Sequence, residues 1–188
     1  KEEMSEMMVG RKVSFAVEKA ESKPGEANFE VRNLTVGSKH STKKAVNNVS
    51  FTVRKGEIVC IAGIDGNGQS ELVYALTGLM PIESGQILLN GQDITRTSVR
   101  KRNVEGMSHI PEDRHKDGLV LDYNLAENLI LKKYFTQEFQ KNGFIKFDMA
   151  YQYANKLIEE FDIRSGQGAK TTVRSMSGGN QQKAIVAR

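Results

Sequence analysis

The sequence lacks the features that mark membrane-spanning and disulfide-stabilised chains. It contains a single cysteine, which excludes an internal disulfide and is typical of a reducing compartment. Its longest apolar run, residues 58–64, is far shorter than the roughly 20 residues that a membrane-spanning helix needs. It also has no internal repeat and no low-complexity tract. What remains is a globular composition, 38% hydrophobic and 27% charged over 188 residues, for which one core is the first expectation.

The sequence also lacks long segments in which all the charged residues have the same sign. The chain has 27 basic and 23 acidic residues, a net charge of +4, and the acidic residues are scattered among the basic ones. The one local basic cluster consists of Arg96, Arg100, Lys101 and Arg102, and no aromatic residue interleaves with it. This pattern favours a solvated helix face over contact with an anionic partner, and we expect no nucleic-acid partner.

Hydrophobic patterning predicts strands in the first half of the chain. Residues 58–62 are apolar throughout and predict a strand buried on both faces of a parallel sheet. Cys60 lies in this segment, so we expect a buried side chain rather than a reactive thiol. Shorter or alternating apolar segments predict further strands at residues 29–34, 49–54, 86–89 and 107–110, the first two of them antiparallel.

Residues 63–70, GIDGNGQS, join the apolar segment to a helical pattern that ends at Gly78. This is the strand–loop–helix context of the phosphate-binding loop G-x-x-x-x-G-K-[ST], in which backbone N–H groups and the positive helix end hold phosphate oxygens. The residues expected to contact a nucleotide are Gly63, Asp65, Gly66, Asn67, Gly68, Gln69, Ser70 and Glu71. A tight turn with no ligand is the alternative that this loop alone leaves open.

Gln69 stands where the motif has its lysine. A hydrogen bond to a charged group is worth roughly 1.5–3 kcal/mol against about 1 kcal/mol for a neutral pair, so nucleotide binding should weaken about tenfold. Catalysis should suffer more, because charge stabilisation and positioning supply most of the rate enhancement in phosphoryl transfer. Ser70 is still placed to bind Mg²⁺ through its hydroxyl group.

From about residue 120 the pattern becomes helical. Asn124 and Glu127 predict a capping box at the start of LAENLILKKYF. Asp148 is expected to cap a second helix, whose apolar stripe consists of Met149, Tyr153, Ala154, Leu157, Ile158 and Phe161. The Ser-Gly-Gly turn at residues 177–179 precedes a third helix, whose N-terminus, with Ser177 as its cap, suits an anion. A capped turn without a ligand is the alternative there.

Three motifs together resemble a known family: MSGGNQQK at residues 176–183, the degenerate phosphate loop, and HIPEDRHKDGLVLDYNLAENL at residues 109–129. The chain is similar to the ATP-binding subunits of ABC importers. It most resembles the second ATPase half of the ribose, galactose and nucleoside importers, in which two halves are fused in one polypeptide. The resemblance covers essentially the whole chain. It implies an α/β P-loop NTPase of the ABC type, with a mixed sheet core, an antiparallel β subdomain and a helical subdomain.

The resemblance also implies how the chain is organised. Residues 1–27 would be a linker or the tail of a preceding ATPase half, residues 28–117 the β subdomain and phosphate-loop core, and residues 118–188 the helical subdomain with the signature motif. Because the chain starts at Lys1 and stops at Arg188 within a helical pattern, we expect a piece of a longer polypeptide. It would be C-terminally incomplete, ending before the Walker B aspartate, the catalytic glutamate and the switch histidine.

Functional residues follow from the same resemblance. In this family each ATP lies between the phosphate loop of one half and the signature turn of the other. The catalytic contacts to the partner's ATP would therefore come from Ser177, Gly178 and Gly179, with a further nucleotide contact from Asn180. Glu112 takes the place of the family's Q-loop glutamine and, with Ser70, would bind Mg²⁺.

The three histidines receive minor roles. His40 is the single candidate between residues 36 and 45 to stack on adenine, and is otherwise a surface histidine. His109 and His115 are not placed to act as the switch histidine, and we expect both to be structural or surface residues.

The leading hypothesis is a subunit that binds and hydrolyses ATP with Mg²⁺ to energise import of a sugar or a nucleoside. Its partners would be the other ATPase half, fused N-terminally, the transmembrane permease subunits and, indirectly, an extracytoplasmic solute-binding protein. It would lie at the cytoplasmic face of the cell membrane, and the isolated chain is expected to be inactive. The rival hypothesis is a non-catalytic, ABC-like interaction module that binds no nucleotide in isolation.

Overall fold

The computed structural model describes residues 6–7, 21–38 and 42–188. It divides the chain into two units, Lys1–Arg96 and Thr97–Arg188, each with its own internal packing. His40 and most of the expected linker at residues 1–27 lie outside the described residues. Within the described ranges, every helix is too short or too polar to cross a membrane.

The first unit is built on an antiparallel sheet in the order β2-β1-β3-β4. Val31 and Leu34 both face the core, because a bulge at Asn33, with φ 50°, lies between them. The strands are β1 (Ala27–Gly37), β2 (Lys44–Arg54), β3 (Ser84–Leu89) and β4 (Gln92–Asp93). The strands predicted at residues 29–34, 49–54 and 86–89 are confirmed, including the antiparallel pairing of the first two.

One helix, α1 (Gln69–Thr77), follows the phosphate loop and ends at the predicted residue, Gly78. Gly78 adopts φ 83°, and its N–H donates to the Ala75 carbonyl at 3.1 Å, which closes the last turn. Leu72 and Ala75 are buried and fasten the helix to the unit. The loop at residues 63–68 is therefore attached to a fixed helix at its C-terminal end.

Residues 58–62 do not form the predicted buried strand, and residues 107–110 do not form a strand either. Ile58 is 92% exposed, Ile110 is 62% exposed, and Cys60 is exposed, so the expectation of a buried Cys60 is wrong. A central parallel strand is stable when strands hydrogen-bond to it on both sides, and no strand in the described ranges pairs with either segment. An apolar run predicts affinity for a sheet, but it carries no information about which neighbours are present.

The second unit packs short helices and turns around one apolar core. The most buried large side chains of this core are those of Leu125, Leu129, Phe139 and Val173, each at most 1% exposed. The elements are α2 (Val99–Val104), a π-helical turn (Arg114–Gly118), α3 (Leu125–Leu129), β5 (Gln140–Lys141), β6 (Phe144–Ile145), α4 (Phe147–Glu160), two 3₁₀ turns (Gly168–Lys170 and Val173–Ser175) and α5 (Gly178–Ala187).

The predicted capping box at α3 is confirmed. The Asn124 side-chain oxygen accepts from the Glu127 N–H, and the Glu127 carboxylate accepts from the Asn124 N–H, both at 2.9 Å. The helix ends at Leu129, however, and the rest of LAENLILKKYF forms turns. A strong N-terminal signal therefore identifies where this helix begins but not how far it runs.

The start of α4 differs from the prediction. The N-cap residue is Lys146, which makes no side-chain capping bond, so Asp148 is an acidic residue of the first turn rather than a cap. Its carboxylate still favours the helix, because it lies near the positive end of the helix dipole. The predicted stripe is right at Ala154 and Leu157, which are in the core, and at Tyr153, Ile158 and Phe161, which pack against it. Met149 is 38% exposed, and Ala150 is buried in the core instead.

Candidate functional site

The phosphate loop is shaped by two glycines in the left-handed backbone region. Gly66 has φ 84° and Gly68 has φ 93°, values that residues with a side chain rarely adopt. Gly68 also lies against β2, since a methyl group built on it would be 2.1 Å from the Ala45 carbonyl oxygen. Gly68 is therefore required by its backbone conformation and by its contact with the sheet. Residues 63–67 of the loop are exposed.

The Gln69 side chain folds back across the loop. Its Nε2 donates to the Ile64 carbonyl at 3.3 Å, and the Asn67 N–H donates to the same carbonyl at 3.2 Å. A methyl group built on Gly63 would be 1.9 Å from Gln69 Nε2, so the amide lies directly over Gly63. A neutral amide thus ties the end of the loop to its beginning, at the position where the motif has a positive charge.

The start of α1 fits a phosphate group in geometry better than in charge. Its N-cap is Gly68, which has no side chain to cap the first turn, and the backbone N–H groups at a helix start are donors of the kind that hold anions. Glu71 places a carboxylate in that same turn, and Gln69 supplies no compensating cation. The residues brought together in this loop and helix start are Gly63, Asp65, Gly66, Asn67, Gly68, Gln69, Ser70 and Glu71.

The signature turn lies in the second unit, at the start of α5. Ser177 is the N-cap residue as predicted, with φ −64° and ψ 151°, but its hydroxyl makes no capping bond to the helix. The hydroxyl instead accepts from the Asn180 side-chain nitrogen at 2.9 Å. Asn180 is held in turn by its side-chain oxygen, which accepts from the Arg164 N–H at 2.8 Å. Gly179 is exposed, with no heavy atom within 4 Å of a methyl group built on it.

The segment before the signature turn is fastened to the core of the unit. The Val173 N–H donates to the Tyr123 carbonyl at 3.1 Å, and the Arg174 N–H donates to the Leu121 carbonyl at 2.9 Å. Gln181 reaches back from α5, and its Nε2 donates to the Val173 carbonyl at 3.0 Å. These bonds hold the turn at a defined place between the core and α5.

A cavity of about 430 Å³ opens beside the signature turn. Ser177 and Asn180 line it from the turn, while Arg164 and Gln167 line it from the segment that follows α4. Sequence reasoning missed Arg164 and Gln167, because no local spacing indicates that the chain after α4 returns to the signature turn. The cavity adds polar groups beside Ser177 that the motif alone does not include.

Glu112 lies at the start of a capped turn in the second unit, and its side chain is exposed. Asp113 follows it and accepts from the backbone N–H groups of Lys116, at 3.0 Å, and His115, at 2.8 Å. These two hydrogen bonds, that of Lys116 first, hold the pKa of the Asp113 carboxyl below its ordinary value. The carboxylate of Asp113 thus shapes the backbone immediately after Glu112.

His109 and His115 have structural contacts, in agreement with their expected roles. His109 is half-buried, and burial, helped by the charge of Lys132, lowers its pKa. Its carbonyl accepts from Lys132 Nζ at 3.0 Å. The ring of His115 bonds to Gln181 of α5, with 2.8 Å between Nε2 and Oε1.

Magnesium binding by Ser70 and Glu112 stays a prediction. The two residues belong to different units, Ser70 at the start of α1 and Glu112 before the π-helical turn. In the described ranges, no three His, Cys, Asp or Glu side chains are grouped closely enough to hold a metal ion. Any Mg²⁺ bound here would therefore need other ligands, such as phosphate oxygens and water.

The cap formed by Asp113 should be sensitive to acid. Its folded-state pKa is lower than the ordinary value of about 3.9, so its contribution to stability is present above that value and is lost as the pH falls through the folded pKa. We compare thermal unfolding of the wild type with that of Asp113→Asn, which does not titrate. The stability difference should be constant from pH 7 to about pH 5 and shrink below about pH 4. A difference that grows on acidification would contradict this assignment.

Comparison with known proteins places the chain in one family. The family described as ABC transporter matches residues 46–188. The chain is 47% identical over 187 residues to the nucleoside import ATP-binding protein NupA of Lactococcus lactis subsp. cremoris (strain MG1363), 44% to the guanosine import ATP-binding protein NupO of Bacillus subtilis (strain 168), and 35% to the ribose import ATP-binding protein RbsA of Bacillus cereus (strain ATCC 14579). All of this chain is covered in each case, but only 37%, 36% and 36% of the relative, so the chain spans about a third of their length.

Solved structures share the fold at low sequence identity. A nucleotide-free ATP-binding cassette from an ABC transporter has a TM-score of 0.63 at 18% identity, covering 86% of this chain and 64% of that one. A dimeric, post-hydrolysis ATP-binding cassette bound to ADP and Pi has a TM-score of 0.65 at 18% identity, covering 85% and 67%. The expected α/β P-loop fold of the ABC type is confirmed. The chain belongs to the ABC transporter family, as part of its ATP-binding cassette.

Proposed function

We propose that this chain is part of the ATP-binding subunit of an ABC importer and contributes its signature turn to an ATP site completed by a second ATPase half. Support comes from relatives named as nucleoside, guanosine and ribose import ATP-binding proteins. A nucleoside is favoured as the imported solute, because identity to the nucleoside and guanosine proteins, 47% and 44%, exceeds the 35% to the ribose protein. The proposed partners are an N-terminally fused ATPase half, transmembrane permease subunits and, indirectly, a solute-binding protein, with the subunit at the cytoplasmic membrane face.

The observation that carries this proposal is the contrast between two helix starts. At α5 the first turn contains no acidic residue, and the exposed Ser177 hydroxyl and Gly179 backbone adjoin it. At α1 the first turn contains Glu71, and the neutral Gln69 amide is bonded within its own loop. A phosphate group therefore meets favourable donors at α5, but a carboxylate and no cation at α1. The loop at α1 would bind nucleotide weakly and would not hydrolyse it.

The proposed roles of the site residues follow from these positions. Ser177, Gly178 and Gly179 would contact the γ-phosphate of ATP held by the other half, with Asn180 orienting the Ser177 hydroxyl through its bond of 2.9 Å. In the chain's own loop, Ser70 would bind the Mg²⁺ that accompanies ATP, and Glu112 would add a carboxylate ligand. The Mg²⁺ ion would neutralise phosphate charge that Gln69 leaves uncompensated.

Restoring the missing charge tests the loop directly. We expect Gln69→Lys in this 188-residue chain to tighten binding of a fluorescent ATP analogue with Mg²⁺ about tenfold, because an ammonium group replaces a neutral amide beside the phosphates. Gln69→Met is the matched control, since it keeps a side chain of similar length without charge, and should show no gain. Fluorescence titration gives both dissociation constants. An unchanged constant in Gln69→Lys would show that the loop does not hold the phosphates.

A non-catalytic, ABC-like interaction module is the second candidate. The observation in its favour is the exposed apolar segment at residues 58–64, in which Ile58 and Ile64 are 92% and 79% exposed, as is usual for surfaces that bind another protein. The same titration separates the two candidates. Saturable binding supports the nucleotide site, and absence of binding in both the wild type and Gln69→Lys supports the module.

A further inference from the structure

The π-helical turn that follows Glu112 lies against α5, and no role proposed above uses it. Its first residue, Arg114, lies beside the first residue of α5, Gly178. A methyl group built on Gly178 would be 3.0 Å from Arg114 Nη2 and 3.3 Å from Cζ. The guanidinium group therefore packs on the backbone at the start of the helix, in space that the absence of a side chain at Gly178 leaves for it.

One turn further along α5, His115 is attached to Gln181. Gln181 is 4% exposed, its Nε2 donates to the Val173 carbonyl at 3.0 Å, and its Oε1 lies 2.8 Å from His115 Nε2, within hydrogen-bonding distance. Arg114 Nε lies 3.3 Å from that nitrogen, so the two side chains also touch each other. Because the Nε2 and Oε1 of the buried Gln181 amide each have a partner, the amide has one orientation, and its attachment to His115 is rigid.

The end of the π-helical turn provides a third attachment. A methyl group built on Gly118 would be 2.9 Å from Ile185 Cδ1, and the Gly118 carbonyl accepts from Arg188 Nη1 at 2.7 Å. The turn thus touches α5 near residues 178, 181 and 185. Contacts spread over two helical turns resist both sliding and rotation of one element against the other.

We propose that Arg114 and His115 are positioning residues, which set the orientation of the signature turn relative to the loop that carries Glu112. This inference rests on the proposed function, in which Ser177 and its neighbours act on ATP held by the other half. The path is short: Glu112 adjoins Asp113, Asp113 caps the π-helical turn, and the turn holds the start of α5. A displacement of the Glu112 loop is therefore transmitted to Ser177.

Two truncations test this in the full-length protein assembled with its permease. Arg114→Ala and His115→Ala should each lower kcat for ATP about tenfold and change KM by less than about twofold, because ATP is held mainly by the other half while the signature turn acts on the transition state. Affinity for ADP with orthovanadate, a transition-state mimic, should fall by the same factor as kcat. If the two residues had a purely structural role, KM for ATP and the affinity for ADP with orthovanadate would change together. Lys116→Ala is the matched control, since Lys116 is exposed and contributes its backbone N–H to the turn, and it should behave as the wild type.

Ser177→Arg, measured in parallel, separates failure of this inference from failure of the proposed function. If Ser177→Arg abolishes hydrolysis while Arg114→Ala and His115→Ala keep wild-type kcat and vanadate affinity, the positioning role is wrong. If Ser177→Arg leaves hydrolysis intact, the proposed function is wrong and the positioning role falls with it. If Arg114→Ala lowers the yield of folded protein, Arg114→Lys, which keeps the charge but not the planar group, must still lower kcat, and wild-type kcat in that variant overturns the inference.

Discussion

Ser177→Arg is expected to abolish ATP hydrolysis by the full-length protein. Ser177 is exposed at the N-cap of α5, and its hydroxyl is oriented by Asn180. The substitution removes that hydroxyl and places a long side chain between the helix start and the nucleotide of the other half. Loss of one transition-state donor alone costs about 10²–10³ in rate, and steric exclusion adds to this loss. Steady-state release of phosphate measures the effect.

Two control variants test whether the loss of hydrolysis is specific to Ser177. Gln182→Arg introduces the same group at an exposed position of α5 and should keep activity within about twofold of the wild type. Gln69→Ala should also have little effect, because Gln69 contributes a neutral amide that is bonded within its own loop. Equal losses in Ser177→Arg and Gln69→Ala would reverse the roles assigned to the signature turn and the phosphate loop.

Gly68→Ala is expected to lower the free energy of unfolding by about 3–5 kcal/mol. The alanine would need φ near 93°, and its methyl group would be 2.1 Å from the Ala45 carbonyl oxygen, which belongs to a strand and cannot move alone. The loop and β2 must therefore separate, and the first unit loses the packing of the loop on this strand. Urea denaturation of the wild type and the variant gives the difference.

Gly66→Ala provides a matched comparison for that substitution. Gly66 has a similar φ of 84°, but no heavy atom lies within 4 Å of a methyl group built on it. The Gly66→Ala variant should lose roughly 1–2 kcal/mol of its free energy of unfolding, because only the left-handed backbone conformation disfavours alanine there. Equal losses at the two positions would mean that the contact with Ala45 does not determine the identity of residue 68.

Features with local signals were predicted correctly from the sequence. Alternation of apolar and polar residues identified β1 and β2, and the pair Asn124 and Glu127 identified the start of α3, because each signal lies within a few residues of the structure it specifies. The N-cap position of Ser177 was predicted for the same reason. The resemblance to the family was likewise carried by motifs that are each a short run of consecutive residues, and it is confirmed.

Features that depend on contacts distant in sequence were not predictable. The apolar character of residues 58–62 predicted a buried strand, but burial requires neighbours that a single segment does not specify. The capping bond expected of Ser177 is replaced by one from Asn180, whose own orientation depends on Arg164, 16 residues away. The packing of Arg114 on Gly178 joins residues from two motifs that the sequence presents as separate.

The exposure of Cys60 makes the chain suitable for spectroscopic labelling. It is the single cysteine, so a thiol-reactive fluorophore would attach at one known position without further mutagenesis. That position lies three residues before Gly63, the first residue of the phosphate loop. A dye there would report changes in the loop during a nucleotide titration, with every signal coming from a single site.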